Sequence, residues 1–586
     1  MSNKKTSPYD SMPWLANYDD GVPHEFNFEP TNICALLDAA ARENPDTTAI
    51  IFRDYKLTYA QLLAKAETIA ANLALNGVRP GDRVALMMPN MPQIVPVFWG
   101  ILKAGGIVVM VNPLYMENEL LHQVTDAGAR HLVTISACWP KLNALRFRLG
   151  VEKFFVSDVT DILGLPQRIM LKLLGKRDPN TMPPVEYDGL QIFPYTRLLH
   201  RGPRLSTPYD DPETQIALLQ YTGGTTGVPK GVMLTHRNQS ANVAQTLAAL
   251  HFLKDSPQVF ASILPIFHVY GLMTCLLIPT ALRATCVMIP RYDPGELLRL
   301  IEKHKITVFP GAPSMYLSLL QHKDISKYNL SSLRFGISGS APIPATAIEK
   351  FQQISNCRLV EGYGLTESSP ITHLTPGLGK QKCGSIGLPL PGTVARIVDM
   401  DVGTIEMPVN ETGELIIKGP QIMNGYYNRP DDTAGSIRNG WLYTGDIASM
   451  DEDGYFYIVD RKKDMAIVGG FNVFPREIDE VLLEHPDVKE AVSVAVEHPT
   501  RGEMIKAFVV PKEGTIITAT ELTKFCRQRL AGYKIPRQIE FREELPRAAT
   551  GKILRRTLQS EELAKMDAEE QREAETETSV EAPNEK

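Results

Sequence analysis

Cysteine gives this sequence no framework. The seven cysteines, Cys34, Cys138, Cys275, Cys286, Cys357, Cys383 and Cys526, are odd in number, and no two are spaced C-x-x-C. That argues against a zinc ribbon and a disulfide scaffold, and it implies a reducing, cytosolic compartment. The opening residues, MSNKKTSPYDSMPW, lack the apolar stretch of a secretory signal. Positive charge is not in excess either. The net charge is -6 over 586 residues, and Glu561 to Lys586 alone contribute ten acidic and three basic residues, so the remaining body is near +1. A near-neutral body gives no electrostatic case for binding nucleic acid. Charge is missing altogether from Ser256 to Leu282. The length of that run suits a membrane span, but Pro257, Pro265, His268 and Pro279 interrupt it, so a buried strand, loop and helix are expected instead.

What is present is the composition of a large globular chain, 44% hydrophobic and 22% charged. It is enough for more than one core. Short β-branched runs alternate with helical patterns. Arg83 to Pro89, Gly106 to Pro113, His131 to Ser136 and Ile306 to Gly311 read as strands, with a helix carrying Phe98, Ile101 and Leu102 among them. Such alternation predicts an α/β fold with parallel-rich sheets covered by helices. The pattern changes near residue 460, where RKKD breaks two apolar runs. Beyond it, a helix starting at Pro475 and strands at Ala491 to Val496 and Lys506 to Pro511 predict a smaller α+β domain. The boundaries expected are a large N-terminal domain over 1–459, a hinge over 460–463, a small C-terminal domain over 464–560 and an acidic, disordered tail over 561–586.

The sharpest local signal is YTGGTTGVPKG, Tyr221 to Gly231, which follows the apolar run IALLQ. Gly223, Gly224 and Gly227 allow the backbone to turn its N–H groups onto one anion. Thr222, Thr225 and Thr226 add hydroxyls, and Lys230 adds a mobile positive charge, an inventory suited to a polyphosphate. The loop is not G-x-x-x-x-G-K followed by Ser or Thr, because Gly227 precedes Val228-Pro229-Lys230-Gly231. A G-x-G-x-x-G string is also absent.

Six further strings follow in order: LPIFHVYG (Leu264 to Gly271), SGSAP (Ser338 to Pro342), EGYGLTE (Glu361 to Glu367), YTGD (Tyr443 to Asp446), DRKKD (Asp460 to Asp464) and LPRAATGKILRR (Leu545 to Arg556). With the glycine loop, they identify the chain as resembling the acyl-adenylate-forming enzymes over roughly residues 30 to 558. The segment Asn439 to Ile478 most resembles bacterial long-chain fatty acid–CoA ligases. The resemblance implies a large AMP- and acyl-binding domain with a small mobile one. It also implies a two-step reaction using ATP, Mg2+ and coenzyme A, in which a carboxylate becomes an acyl-adenylate and then an acyl-CoA.

The resemblance also implies roles for single residues. Lys552 would contact the carboxylate and the α-phosphate, as a compact charge on a flexible stem suits. His268, Tyr270, Gly271 and Leu272 would line the mouth of the acyl pocket, with His268 acting during adenylate formation. Leu272 departs from the tryptophan that at least one long-chain relative carries there. Lys463 falls at the family's hinge position, while Ile467 stands where some relatives have lysine. Gly339, Ser340 and Ala341 would lie along the adenine, and Tyr363 would stack on it. Glu361, Gly362, Gly364 and Thr366 would complete that nucleotide edge. Asp446 would accept both ribose hydroxyls, which suits an acceptor-only carboxylate, and Arg461 would reach the ribose or a phosphate. Glu367 is implied as the magnesium ligand, with Thr222 beside it.

The segment QRIMLKLLGKR, Gln167 to Arg177, reads either as an ordinary surface helix or as a basic amphipathic helix resting on a membrane. The address is therefore cytoplasmic, with the inner face of the membrane as an alternative, and a homodimer is left open. Three other functions stay in view: loading of a carrier protein from the adenylate, activation of medium-chain or aryl acids, and a silent fatty-acid binder. The set Lys230, Glu367, Asp446 and Lys552 weighs against the binder, which needs none of them.

Overall fold

The runs Arg83–Met87, Ile107–Met110 and His131–Ile135 are apolar at nearly every position rather than alternating, the pattern of strands covered on both faces. The computed structural model of the chain describes residues 7–162, 184–200, 211–222, 229–468, 471–498, 502–548 and 552–565. In it these runs form the middle of a seven-stranded sheet. Its order is Ile192–Pro194, Lys153–Ser157, His131–Ile135, Arg83–Met87, Ile107–Met110, Ile216–Thr222 and Lys230–Thr235. The first six strands are parallel, and only Lys230–Thr235 folds back antiparallel. The helix Ile94–Lys103 is buried along its whole length, including Phe98, Trp99 and Ile101. Each such side chain removed from water contributes roughly 1.5–3 kcal/mol.

A nine-stranded sheet follows the same logic. Its order is Leu388–Pro389, Ile371–Leu374, Arg358–Gly364, Phe335–Ser338, Val308–Gly311, Val259–Ser262, Thr285–Met288, Thr48–Phe52 and Tyr55–Thr58. The central strands are parallel, and Gly311, Ser338 and Glu361 are register neighbours. Two of these strands end there, at Gly311 and Ser338, while the third runs on past Glu361 to Gly364, all at the carboxyl ends where open α/β sheets bind ligands. The uncharged run resolves into the strand Val259–Ser262, a loop and the helical pieces Val269–Leu272, Met273–Leu277 (a π-helical turn) and Ile278–Ala281. Among the described residues, no helix is long and apolar enough to cross a membrane.

The described residues fall into two compact units. One comprises Met1–Arg396, Ile416–Thr444 and Asp451–Phe456, and holds both large sheets. The other comprises Ile397–Leu415, Gly445–Met450 and Tyr457–Lys586. Its own five-stranded sheet has the order Phe471–Val473, Ala466–Val468, Gly502–Pro511 and Val488–His498, with Gln538–Phe541 beside Gly502–Pro511. Alternation decides which face each residue covers. Ala491, Ile505, Ala507 and Val509 pack with Ile478 and Leu482 of the helix Pro475–Leu483. Val492, Val494, Val496, Phe508 and Val510 pack with Leu545 and Leu558 on the opposite face. Glu561 and Glu562, the first residues of the acidic segment, are ion-paired to Arg542 (2.9 Å) and Lys506 (2.7 Å). Residues 167–177 and the segment from 566 onward lie outside the described residues.

Candidate active site

In the larger unit, the glycine-rich loop is bounded by a hairpin that pairs Thr222 with Lys230 and Tyr221 with Gly231. Gly223, Gly224, Thr225, Thr226 and Gly227 lie outside the described residues. Lys230 is largely buried and bonds the Asp432 carboxylate. Its ammonium also stands 5.3 Å from the centre of the Tyr426 ring, within cation–π range. The Tyr426 hydroxyl in turn donates to Glu367 Oε1 at 2.8 Å. Lys230 and Glu367 therefore share one aromatic neighbour. The segment carrying Tyr426 is fixed by backbone bonds, from Tyr427 N–H to the Gly231 carbonyl (2.7 Å) and from Met423 N–H to the Glu367 carbonyl (2.8 Å).

The residues implied for the adenine lie at strand ends. Ser340 has φ +74°, and a Cβ on Gly339 would stand 2.9 Å from the Tyr270 ring. Tyr270 is buried, and its hydroxyl donates to the carbonyls of Ile337 (3.1 Å) and Gly311 (3.3 Å), so it props the turn from beneath. Glu361 is buried, while Gly362, Tyr363, Gly364, Thr366 and Glu367 keep some exposure. Tyr363 pairs across the strand with His373, the ring centroids 5.8 Å apart. Burial pushes the His373 imidazole down to about 3, so it is neutral there. His268 caps the short helix Val269–Leu272, its Nδ1 accepting from Tyr270 N–H at 3.3 Å. Leu272 is fully buried, and Gly271 passes so close to Pro265 that a Cβ would lie 2.1 Å from that carbonyl oxygen.

In the smaller unit, Asp446 is buried and receives Arg461 Nε at 3.1 Å. Lys552 has Arg461, Asp446, Asp464 and Lys463 as its charged neighbours. The Arg461 guanidinium is the first cause that pulls Lys552 down to about 8, and because the lysine keeps its exposure to solvent, charge rather than burial carries the shift. Lys463, also exposed, is lowered as well, with Arg461 among the causes. The residues from YTGD, DRKKD and TGKILRR thus gather into one charged cluster despite their separation in the chain.

Among the described residues, no group of three His, Cys, Asp or Glu side chains is placed to hold a metal ion. Of the residues implied for the metal, Glu367 offers one carboxylate and Thr222 a half-buried hydroxyl. A single carboxylate fits an ion that takes its other oxygens from phosphate and water, as magnesium does.

Sequence reasoning did not single out Tyr426, Asp432 or Arg555. The string GYYNRPDDT carries the first two, and its two adjacent acids just after a proline were the available signal.

Residues 37–427 match the family described as AMP-binding enzyme, and residues 477–552 match the AMP-binding enzyme C-terminal domain. The long-chain-fatty-acid–CoA ligase of Bacillus subtilis (strain 168) is 44% identical over 553 residues, covering 94% of this chain and 98% of that protein. The ATP-bound MatB structure from Rhodopseudomonas palustris is 28% identical with a TM-score of 0.78, covering 90% of this chain and 99% of that one. The anthranilate CoA ligase AuaEII in complex with anthranoyl-AMP is also 28% identical at 0.78, covering 93% and 99%.

Proposed function

The chain belongs to the AMP-binding enzyme family, and on that basis we propose that it activates long-chain fatty acids with ATP and transfers the acyl group to coenzyme A. The observation that carries this reading is the 44% identity to a long-chain-fatty-acid–CoA ligase over 94% of the chain, because it spans both units at once. In the first step, a carboxylate oxygen attacks the α-phosphorus and the bond to the β-phosphate breaks, giving acyl-adenylate and pyrophosphate. In the second, the thiol sulfur attacks the acyl carbon, AMP leaves and the thiol proton passes to solvent. The anthranoyl-AMP bound to a CoA ligase of the same fold supports this order.

The residues divide the work by charge. Lys230, with the loop Gly223 to Gly227, grips the β- and γ-phosphates. Lys552 places a positive charge between the incoming carboxylate and the α-phosphate, where negative charge builds up in the transition state. Asp446 takes the ribose hydroxyls and Arg461 stands beside it. Tyr363 and the Gly339 to Ala341 turn hold the adenine flat, and Glu361, Gly362, Gly364 and Thr366 shape the edge around it. His268, Tyr270, Gly271 and Leu272 form the mouth of the acyl pocket. Glu367 and Thr222 hold Mg2+, which when bound neutralises phosphate charge. Residues 460–463, with Lys463, act as the hinge on which the small domain (464–560) turns between the two steps. The free cysteines, six of them buried, support a reducing cytoplasmic compartment.

Acid-dependent exchange of labelled pyrophosphate into ATP, measured without coenzyme A, tests the first step. Exchange with palmitate or oleate is expected, and none with any acid would contradict the reading.

A further inference from the structure

Lys552 lies where the stretches 546–548 and 552–554 pair with each other. The Ala548 N–H donates to the Lys552 carbonyl (2.8 Å), the Leu554 N–H donates to the Pro546 carbonyl (2.8 Å), and Arg547 bridges Ile553. Leu545 and Ile553 pack this segment against the sheet face that carries Phe508 and Val510, which seats its backbone but leaves the direction of the lysine to the polar contacts around it. Three residues on is Arg555. Its Nη1 lies 3.1 Å from Asp460 Oδ1 and 3.9 Å from Asp464 Oδ2, and its Nη2 bonds Asp479.

These carboxylates are themselves anchored. Asp460 accepts from the Arg461 N–H (2.7 Å) and the Arg476 N–H (2.8 Å), and buried Asp479 accepts from the Ser493 N–H. A planar guanidinium in two fixed carboxylates has almost no rotational freedom. Arg461, next in the chain after Asp460, is the residue that bonds Asp446.

We infer that Arg555 is a positioning residue, which fastens the Lys552 segment to the strand ending at Arg461 and thereby sets the Lys552 ammonium against Arg461 and Asp446. The consequence for catalysis rests on the function proposed above; the geometric claim does not. A second polar anchor of the same segment, Arg547 to Glu490 at 2.6 Å, is more exposed on both sides and reaches a different strand, which makes it the natural control.

The experiment uses the full chain as wild type, Arg555→Gln, Arg555→Lys and Arg547→Gln. Lys552 is acylated by acetic anhydride across a pH series, and the modified peptide is quantified by mass spectrometry. In the wild type the half-reactive point is expected near 8, where Arg461 holds this ammonium. In Arg555→Gln the lysine drifts from Arg461, and the point is expected to rise by about one unit or more toward the ordinary lysine value. Arg555→Lys keeps the charge but not the fork, so an intermediate point is expected, and it stands in if the Gln variant does not fold. Arg547→Gln should match the wild type.

In parallel, adenylation should fall by about 10- to 100-fold in Arg555→Gln, while acyl transfer from supplied acyl-adenylate to coenzyme A is spared. An unshifted point in both Arg555 variants overturns the inference, as does an equal loss of both half-reactions with a wild-type labelling curve. A wild type that adenylates no acid would overturn the proposed function, and the labelling curve would still decide this inference.

Discussion

The hydroxyl of Tyr426 donates to Glu367 Oε1 at 2.8 Å, joining two segments 59 residues apart at the phosphate edge. Burial first, and then the adjacent Glu367 carboxylate, raise the phenol far above its usual value, so it stays a donor at every working pH. This bond fixes the rotation of the Glu367 carboxylate, the magnesium ligand proposed above.

Tyr426→Phe removes the donor and keeps the ring. Loss of a hydrogen bond to a charged group costs about 2 kcal/mol. The Mg2+ concentration giving half-maximal adenylation should therefore rise several-fold, and melting should move down only a few degrees. A magnesium titration of the adenylation rate, beside a thermal melt, checks this. An unchanged titration would show that Glu367 is oriented by something else.

Asp432 occupies Lys230 in this structure. A phosphate reaching the same ammonium competes with that carboxylate for its charge. Asp432→Asn removes the competing charge, and the KM for ATP should fall by about threefold with kcat nearly constant, on the scale of a partly exposed ion pair. Initial rates against ATP concentration read both parameters. A higher KM would mean that the aspartate instead holds Lys230 in its working position.

Lys552 is lowered to about 8, with Arg461 as the first cause. A lysine serves the α-phosphate only while protonated, so adenylation should decline as pH rises through about 8. Below that value the lysine term should be flat. Lys552→Ala should lower adenylation by about 10²- to 10³-fold, the scale of removing one charged transition-state contact. Acyl transfer from supplied acyl-adenylate should stay within about twofold in this variant, because only a contact made in the adenylation transition state has been removed. The pH profile of pyrophosphate exchange, with single-turnover transfer as the companion assay, measures this division.

Gly364 runs so close to the Pro370 carbonyl that a Cβ would lie 1.8 Å from its oxygen. The obstacle is backbone and cannot swing aside. Gly364→Ala should cost about 3 kcal/mol, the upper end for forced overpacking, and weaken nucleotide binding by moving Tyr363. Melting temperature and AMP affinity, measured together, should fall together.

The sheets were legible because strands buried on both faces announce themselves as unbroken apolar runs. Arg83–Met87 and His131–Ile135 lie where the sequence pattern puts them, and so do the long paired strands of the smaller unit. The uncharged run also resolved as its prolines indicate, into a strand, a loop and short helical pieces.

The candidate residues were legible where they lie inside short strings, as Lys230, Glu367 and Asp446 do. What supports them was not. Asp432 meets Lys230 across 202 residues, and Arg555 meets Asp460 across 95 and Asp479 across 76. No local period reports a partner at that distance, because the chain brings them together only after its sheets have closed. Nor does an alternating strand pattern say which sheet a strand joins, so nothing in Ile397–Leu415 marks it as part of the smaller unit.

The central claim is tested most directly by AMP release with ATP and magnesium across acids from octanoate to oleate, with and without coenzyme A. The account predicts rapid AMP and acyl-CoA formation that needs coenzyme A and is strongest with the long acids. Acyl-adenylate that accumulates without responding to coenzyme A, or turnover confined to aryl or short acids, would contradict it.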